Sequence, residues 1–334
     1  MIKNQENFSA GIGNTPLIKL KAASEITGCN IYGKAEFLNP GGSVKDRAAL
    51  ALIKDAQDKK LISKGGTVVE GTAGNTGIGL GLLGNSLGYK TIIVMNDNQT
   101  QEKKDILKNL GAELKLVPAK PFKDENNYVK VASRLADELR PNNNNGVIWA
   151  NQFDNTANAK GHYEGTGKEI WDQTDGKVDA FICSSGTGGT ISGVSNALKE
   201  KNKDIKIYLS DPKGSSLYNF IKHGELKSEG NSITEGIGSS RITKNFENAK
   251  IDDAFSINDH EALSILYDLI KNEGLSLGTS CGINIAGAIR LGKELGPGKT
   301  IVTILCDKSD KYASKMFNKK FLDEKGLNYP DWIK

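Results

Sequence analysis

Residues 67–77 read Thr67-Val68-Val69-Glu70-Gly71-Thr72-Ala73-Gly74-Asn75-Thr76-Gly77. Val68 and Val69 lie in a short apolar run of the kind that forms a buried strand, a glycine-bearing loop follows at once, and small residues from 78 to 83 continue as a helix. Strand, tight loop and helix in that order are the unit of an α/β architecture. Backbone N–H groups and hydroxyls at the helix N-terminus favour a carboxylate there. A second copy of the arrangement lies further on, where Phe181-Ile182-Cys183 reads as a strand, Gly186-Thr187-Gly188-Gly189-Thr190 as the loop, and Ile191, Val194 and Leu198 as the apolar marks of a helix. By composition and position this loop is a phosphate cradle.

Upstream stands Asn39-Pro40-Gly41-Gly42-Ser43-Val44-Lys45-Asp46-Arg47, a lysine in the first turn of a helix behind a Pro-Gly-Gly bend. Val44, Ala48, Leu52 and Ala56 form its apolar stripe, and Ser43 is expected to cap it with Asp46 returning the bond. A lysine so held and desolvated loses its proton more easily, and the neutral amine forms a Schiff base with an aldehyde cofactor. The three segments together supply an amine, a carboxylate clamp and a phosphate clamp.

Residues 39–47, 70–80 and 186–190 and Asn151-Gln152-Phe153 resemble the signatures of the cysteine synthase (O-acetylserine sulfhydrylase) and cystathionine β-synthase family, the fold type II pyridoxal-phosphate enzymes. Gly13-Asn14-Thr15-Pro16-Leu17, Glu235-Gly236-Ile237-Gly238 and residues 302–312 extend the resemblance over almost the whole chain. It implies an α/β fold of two doubly wound domains with largely parallel sheets, tryptophan synthase β-like. A smaller mobile domain would take residues 39–150 with 1–12, and a larger cofactor domain 151–334, with 13–38 crossing over to it. The implied cofactor is pyridoxal 5'-phosphate, with Lys45 as its Schiff-base lysine and later the acid–base group. Asn75 would meet the ring hydroxyl, Gly186, Thr187, Gly188, Gly189 and Thr190 the phosphate, and Thr72, Gly74, Thr76 and Gln152 the substrate's α-carboxylate.

The implied reaction is β-elimination and β-replacement on serine- or cysteine-type amino acids through an α-aminoacrylate. O-acetylserine and sulfide would give cysteine and acetate; the alternative takes cysteine as donor and releases hydrogen sulfide. A homodimer is implied as well. Three departures from the family pattern stand out, at Ala73, in the turn 306–309 and at 238–241. Ala73 replaces a family serine, which leaves apolar room that suits a sulfur leaving group, and Asn231, in Gly230-Asn231-Ser232, falls in a segment the family closes over its substrate. In the turn Cys306-Asp307-Lys308-Ser309, Lys308 stands by strict register in the slot of the serine that meets the pyridine nitrogen, so that Asp307 or Ser309 serves if the turn shifts. A third, Gly238-Ser239-Ser240-Arg241, has no assigned consequence.

Composition fits this class. At 334 residues the chain exceeds a usual single domain, and its 44 basic residues are interspersed with 40 acidic ones, so neither nucleic acid nor an anionic membrane is called for. Met1-Ile2-Lys3-Asn4-Gln5 opens no apolar leader, and a cytoplasmic location is expected. Cys29, Cys183, Cys281 and Cys306 form no Cys-x-x-Cys pair and His162, His223 and His260 no ligand spacing, so no metal is expected. Cys183 and Cys306 read as core thiols, and His162 as a structural histidine. Strand-like runs at 91–95, 113–117, 146–150, 178–183, 206–210 and 300–306 alternate with helical patterns. A dinucleotide fold fails because Ile191 stands where the third glycine belongs, and a P-loop fails because Lys293 replaces the first glycine before Gly298-Lys299-Thr300. A non-enzymatic binding module is set aside because Lys45 is retained.

Overall fold

The structure is a computed structural model that describes residues 8–72 and 74–333. Ala73 therefore lies outside the described residues. The chain divides into two compact units, the first taking in the residues up to Gly13 together with Asn39–Gly161, the second Asn14–Leu38 together with everything from His162 onward. Among the described residues ten strands form two sheets: β1 (Leu17–Lys19), β2 (Asn30–Ala35), β3 (Thr67–Gly71), β4 (Lys90–Asn96), β5 (Glu113–Val117), β6 (Val147–Trp149), β7 (Ala180–Cys183), β8 (Lys206–Pro212), β9 (Asp253–Ile257) and β10 (Thr300–Leu305).

In the first unit the sheet runs β5-β4-β3-β6, all parallel. Parallel strands covered on both faces read as unbroken apolar runs, and Val68, Val69, Ile93, Val94 and Met95 are all buried. Helices Lys45–Asp58 and Asn75–Leu87 cover one face, where Leu52, Ile53, Leu80 and Leu83 pack with Val68 and Ile148. Helix Tyr128–Leu139 covers the other, through Ala132 and Ala136 against Val69 and Val94.

The second unit has the order β1-β2-β10-β7-β8-β9, parallel except for the antiparallel β1. Its core gathers Ile31, Ile182, Ile301 and Leu305 with Ile285 and Leu291 of the long helix Thr279–Leu295. The fold is thus α/β, with two doubly wound, largely parallel sheets.

Each sheet has one place where strand order reverses, and ligands of open α/β sheets bind outside the strand ends there. In the first unit that place is between β3 and β6, and in the second between β7 and β10. The loops after these four strands carry the residues that matter below.

The apolar stripe of the Lys45 helix is as expected, with Val44, Ala48, Leu52 and Ala56 all buried. Its cap is not. Val44, not Ser43, precedes the first helical residue and has helical backbone angles. Ser43 Oγ accepts the Lys45 N–H at 3.2 Å, and Asp46 turns its carboxylate back to the Gly41 N–H at 2.6 Å. Cys306 also departs from expectation, since it lies just past β10 and is half-buried.

Candidate active site

The first unit gathers its candidate residues from β3, β6 and two helix starts. Thr72 leaves β3 with its N–H on the Val94 carbonyl, 3.0 Å, and its hydroxyl accepts the Gly74 N–H at 3.2 Å. Asn75 then opens the helix Asn75–Leu87, whose next residue, Thr76, donates its hydroxyl to Gln152 Oε1 at 2.6 Å. Gln152 arrives from β6. The Ala150 N–H still bonds the Val69 carbonyl, Asn151 takes a left-handed φ of 52°, and the Gln152 carbonyl accepts from Asn158 Nδ2 at 2.9 Å. Left-handed backbone in a residue other than glycine is strained and persists where its surroundings fix it.

Lys45 is the first residue of its helix and half-buried, and among the described residues no carboxylate pairs with its ammonium. Gly41 and Gly42 are both needed in the bend before it. A Cβ on Gly41 would stand 2.5 Å from an Asp46 carboxylate oxygen, and Gly42 has φ 78°. The Asn39 side chain takes the Gly13 N–H at 2.9 Å. Glycine also sets the spacing of the two helices, because an added Cβ on Gly79 would lie only 3.1 Å from Ala49 Cβ and 3.4 Å from Asp46 Cα. The first turns of both helices therefore lie side by side, and Lys45, Thr72, Gly74, Asn75, Thr76 and Gln152 come to one end of this unit.

Sequence reasoning passed over Glu70. It is completely buried next to last in β3, and its carboxyl pKa is pushed up to about 8 by loss of water, partly offset by the Asn151 and Gln152 N–H groups and the Gln152 side-chain amide. Those donors lie close enough to favour the charge, yet neither carboxylate oxygen meets one at normal hydrogen-bonding geometry. A lone acid directly after Val68 and Val69 was the signal available in the sequence.

In the second unit the loop after β7 is a cradle made by absent side chains. A Cβ on Gly186 would stand 2.2 Å from the Gly236 carbonyl oxygen, and one on Gly188, where φ is 87°, 2.6 Å from the Phe246 nitrogen. The Thr187 carbonyl accepts the Thr243 hydroxyl at 2.7 Å, and the Ser185 carbonyl accepts the Gly238 N–H at 2.8 Å. Gly189 and Thr190 then begin the helix Gly189–Lys201, whose first N–H groups have no intrahelical partner and point with the helix dipole at whatever lies before them. Thr190 is steadied by His162. The imidazole meets the Thr190 hydroxyl at 3.2 Å with Nε2 and the Thr166 hydroxyl at 2.8 Å with Nδ1, which makes it the satisfied structural histidine expected.

On β10, the neighbour of β7, the turn places Asp307 inward and Lys308 outward. Asp307 is 1 % exposed and accepts the Tyr312 hydroxyl at 2.6 Å, and burial together with that carboxylate holds the Tyr312 phenol well above the ordinary tyrosine range. Ser309 is turned to Ser276, hydroxyl to hydroxyl at 2.5 Å. Asn231 is exposed, its Cα against the Gly214 turn that follows β8.

A profile of the family described as "Pyridoxal-phosphate dependent enzyme" matches residues 8–307. The chain belongs to that family. It is similar to the cysteine synthase 1 of Neurospora crassa, 48 % identical over 96 % of this chain and 86 % of that one, and to the cysteine synthase 1 of Emericella nidulans, 50 % identical with the same coverage. Among solved structures it is similar to a hydrogen sulfide-producing enzyme of Fusobacterium nucleatum, at TM-score 0.82 and 33 % identity over 93 % of this chain and 98 % of that one. This pyridoxal-phosphate enzyme has residues that suit the cofactor. A phosphate needs backbone N–H groups it can approach closely, and the 186–190 loop offers them where a single Cβ would fill the space. The cofactor's aldehyde needs an amine on a rigid element, which the first turn of the Lys45 helix supplies.

Proposed function

We propose that the protein is a cysteine synthase, replacing the acetyl group of O-acetylserine by sulfide to give cysteine and acetate. The observation that carries this reading is 48–50 % identity to two cysteine synthases along 96 % of the chain. Bound pyridoxal phosphate supplies an electron sink for the α-carbon, which leaves the chain to place, orient and exchange protons. In this reading Lys45 would hold the cofactor covalently and would take the proton from the substrate's α-carbon. Residues 186–190 would hold the phosphate and Asn75 would meet the ring hydroxyl.

Thr72, Gly74, Thr76 and Gln152 take the α-carboxylate, the Thr76 hydroxyl setting the Gln152 amide by donating to its Oε1 at 2.6 Å. Asp307 would meet the pyridine nitrogen, because Lys308 faces out and Ser309, though buried as well, is held by Ser276. The protein would work as a homodimer in the cytoplasm, and sedimentation and cell fractionation test those two points. No helix among the described residues is long and apolar enough to cross a membrane.

The test is a pair of assays on purified holoenzyme, cysteine formed from O-acetylserine and sulfide, and sulfide released from cysteine alone. The proposal expects the first to be the faster by at least tenfold. Release of sulfide from cysteine at an equal or higher rate would make the protein a cysteine-consuming lyase instead.

A further inference from the structure

Glu70 has no part in the scheme so far, yet its position is unusual. It is completely buried, neither of its oxygens is in a hydrogen bond although the Asn151 and Gln152 donors are near, and it stands next to last in β3 beside the turn that delivers Gln152 from β6. That turn is held in several ways at once. Asn151 takes its left-handed φ, the Asn151 carbonyl accepts the N–H groups of Asp154 and Asn155 at 3.1 and 2.8 Å, and Asn158 fixes the Gln152 carbonyl. Gln152 Oε1 is bound by Thr76, so the amide's orientation is decided and its Nε2 carries the two remaining donors.

We infer that Glu70 is a positioning residue for substrate binding: it receives one Nε2–H of Gln152, so that the other is presented to the substrate's α-carboxylate. The inference rests on the reading that Gln152 takes that carboxylate. Burial supports it from a second side, since an acid whose pKa is near 8 is mostly uncharged at neutral pH. A neutral carboxyl accepts the amide hydrogen without setting a negative charge behind the place where the substrate's own carboxylate must sit. A charge there would repel the ligand, and an apolar side chain would let the Gln152 amide turn.

Four variants of the holoenzyme test this, with O-acetylserine as the varied substrate at saturating sulfide. Glu70→Leu, close in volume but without an acceptor, should raise the KM for O-acetylserine about tenfold and change kcat less than threefold. Glu70→Gln restores a neutral acceptor, and its KM should lie within about threefold of the parent. Gln152→Ala should raise KM on its own, and adding Glu70→Leu to it should raise KM no further, because the two residues act through one amide. If Glu70→Leu does not fold, Glu70→Asp replaces it. Withdrawing the acid by one methylene should raise KM at least fivefold. A KM like the parent's in Glu70→Leu or Glu70→Asp, alongside a raised KM in Gln152→Ala, overturns the role of Glu70 alone. Independent, multiplying effects in the double variant overturn it too. An unchanged KM in Gln152→Ala overturns the reading of Gln152 and this inference with it.

Discussion

Replacing Gly188 by alanine should cost the protein its cofactor. The residue has φ 87°, where an L side chain pays about 1–2 kcal/mol in backbone strain. The added Cβ would also stand 2.6 Å from the nitrogen and 2.7 Å from both Cα and Cβ of Phe246. Backbone does not rotate out of the way, and an overpacked contact of this kind costs about 1–3 kcal/mol. Phe246 is buried and its segment is anchored through Thr243 to the Thr187 carbonyl, so the loop carrying Gly188 is the part that moves. Moving it takes N–H groups away from the phosphate. Losing two charge-assisted bonds at about 1.5–3 kcal/mol each weakens cofactor binding by at least about a hundredfold. Gly224→Ala is the matched control, with φ 74° and no atom within 4 Å of the added Cβ, so it carries strain without a clash. Equilibrium dialysis against pyridoxal phosphate, with thermal unfolding of the cofactor-free forms, reads both. The Gly224 variant should lose about 1–2 kcal/mol of stability and keep its cofactor affinity. A Gly188→Ala protein that holds pyridoxal phosphate as tightly as the parent would refute the cradle argument.

Two further outcomes follow from the buried acids. Asp211, at the end of β8, has its pKa raised to about 7 by burial, which outweighs the Tyr218 and Leu217 N–H groups and the Ser215 hydroxyl that lower it. Its native pKa exceeds that of the unfolded chain, so its contribution to stability is whole below about pH 4 and is lost as pH rises to about 7. The rise from 3.8 to about 7 amounts to about 4 kcal/mol at roughly 1.4 kcal/mol per pH unit. Asp211→Asn should remove that decline, and urea unfolding of the two proteins at pH 4.5 and 7.5 checks it; equal pH dependence in both would contradict the account. At the other turn, Asp307→Ala should shift the cofactor's absorbance and slow turnover, with Tyr312→Phe producing a smaller shift of the same sign and Ser309→Ala almost none. A large effect in Ser309→Ala with none in Asp307→Ala would return the pyridine contact to the serine.

Much of the fold was legible because burial on both faces writes itself into sequence as unbroken valine and isoleucine, as in β3, β4 and β10. The strands that escaped notice lack that mark. β1 is three residues long and partly exposed. β2 carries Gly33, whose missing side chain makes room for Leu305, and Lys34, a buried ammonium that pairs with Glu169 at 2.6 Å. Neither partner is near in sequence, so nothing local announces a strand. β9 mixes Asp253 and Ser256 with apolar neighbours and lies at the sheet's edge. The glycine loops were readable for a different reason, since loops that must let backbone approach a ligand exclude side chains. The cap of the Lys45 helix was not legible because Val44 takes helical angles before it and Asp46 bonds an N–H five residues back, outside the capping spacing. Glu70 was missed because a single acid at a strand end resembles a surface residue until the fold buries it.

The account turns on Lys45, and one measurement addresses it directly. Holoenzyme is reduced with borohydride, which makes the link between the cofactor and its lysine permanent, and the digest is mapped by mass spectrometry. The pyridoxyl group should be found on the peptide carrying Lys45, and a Lys45→Ala protein treated in the same way should carry none. A pyridoxyl group on any other lysine of this lysine-rich chain would contradict the account.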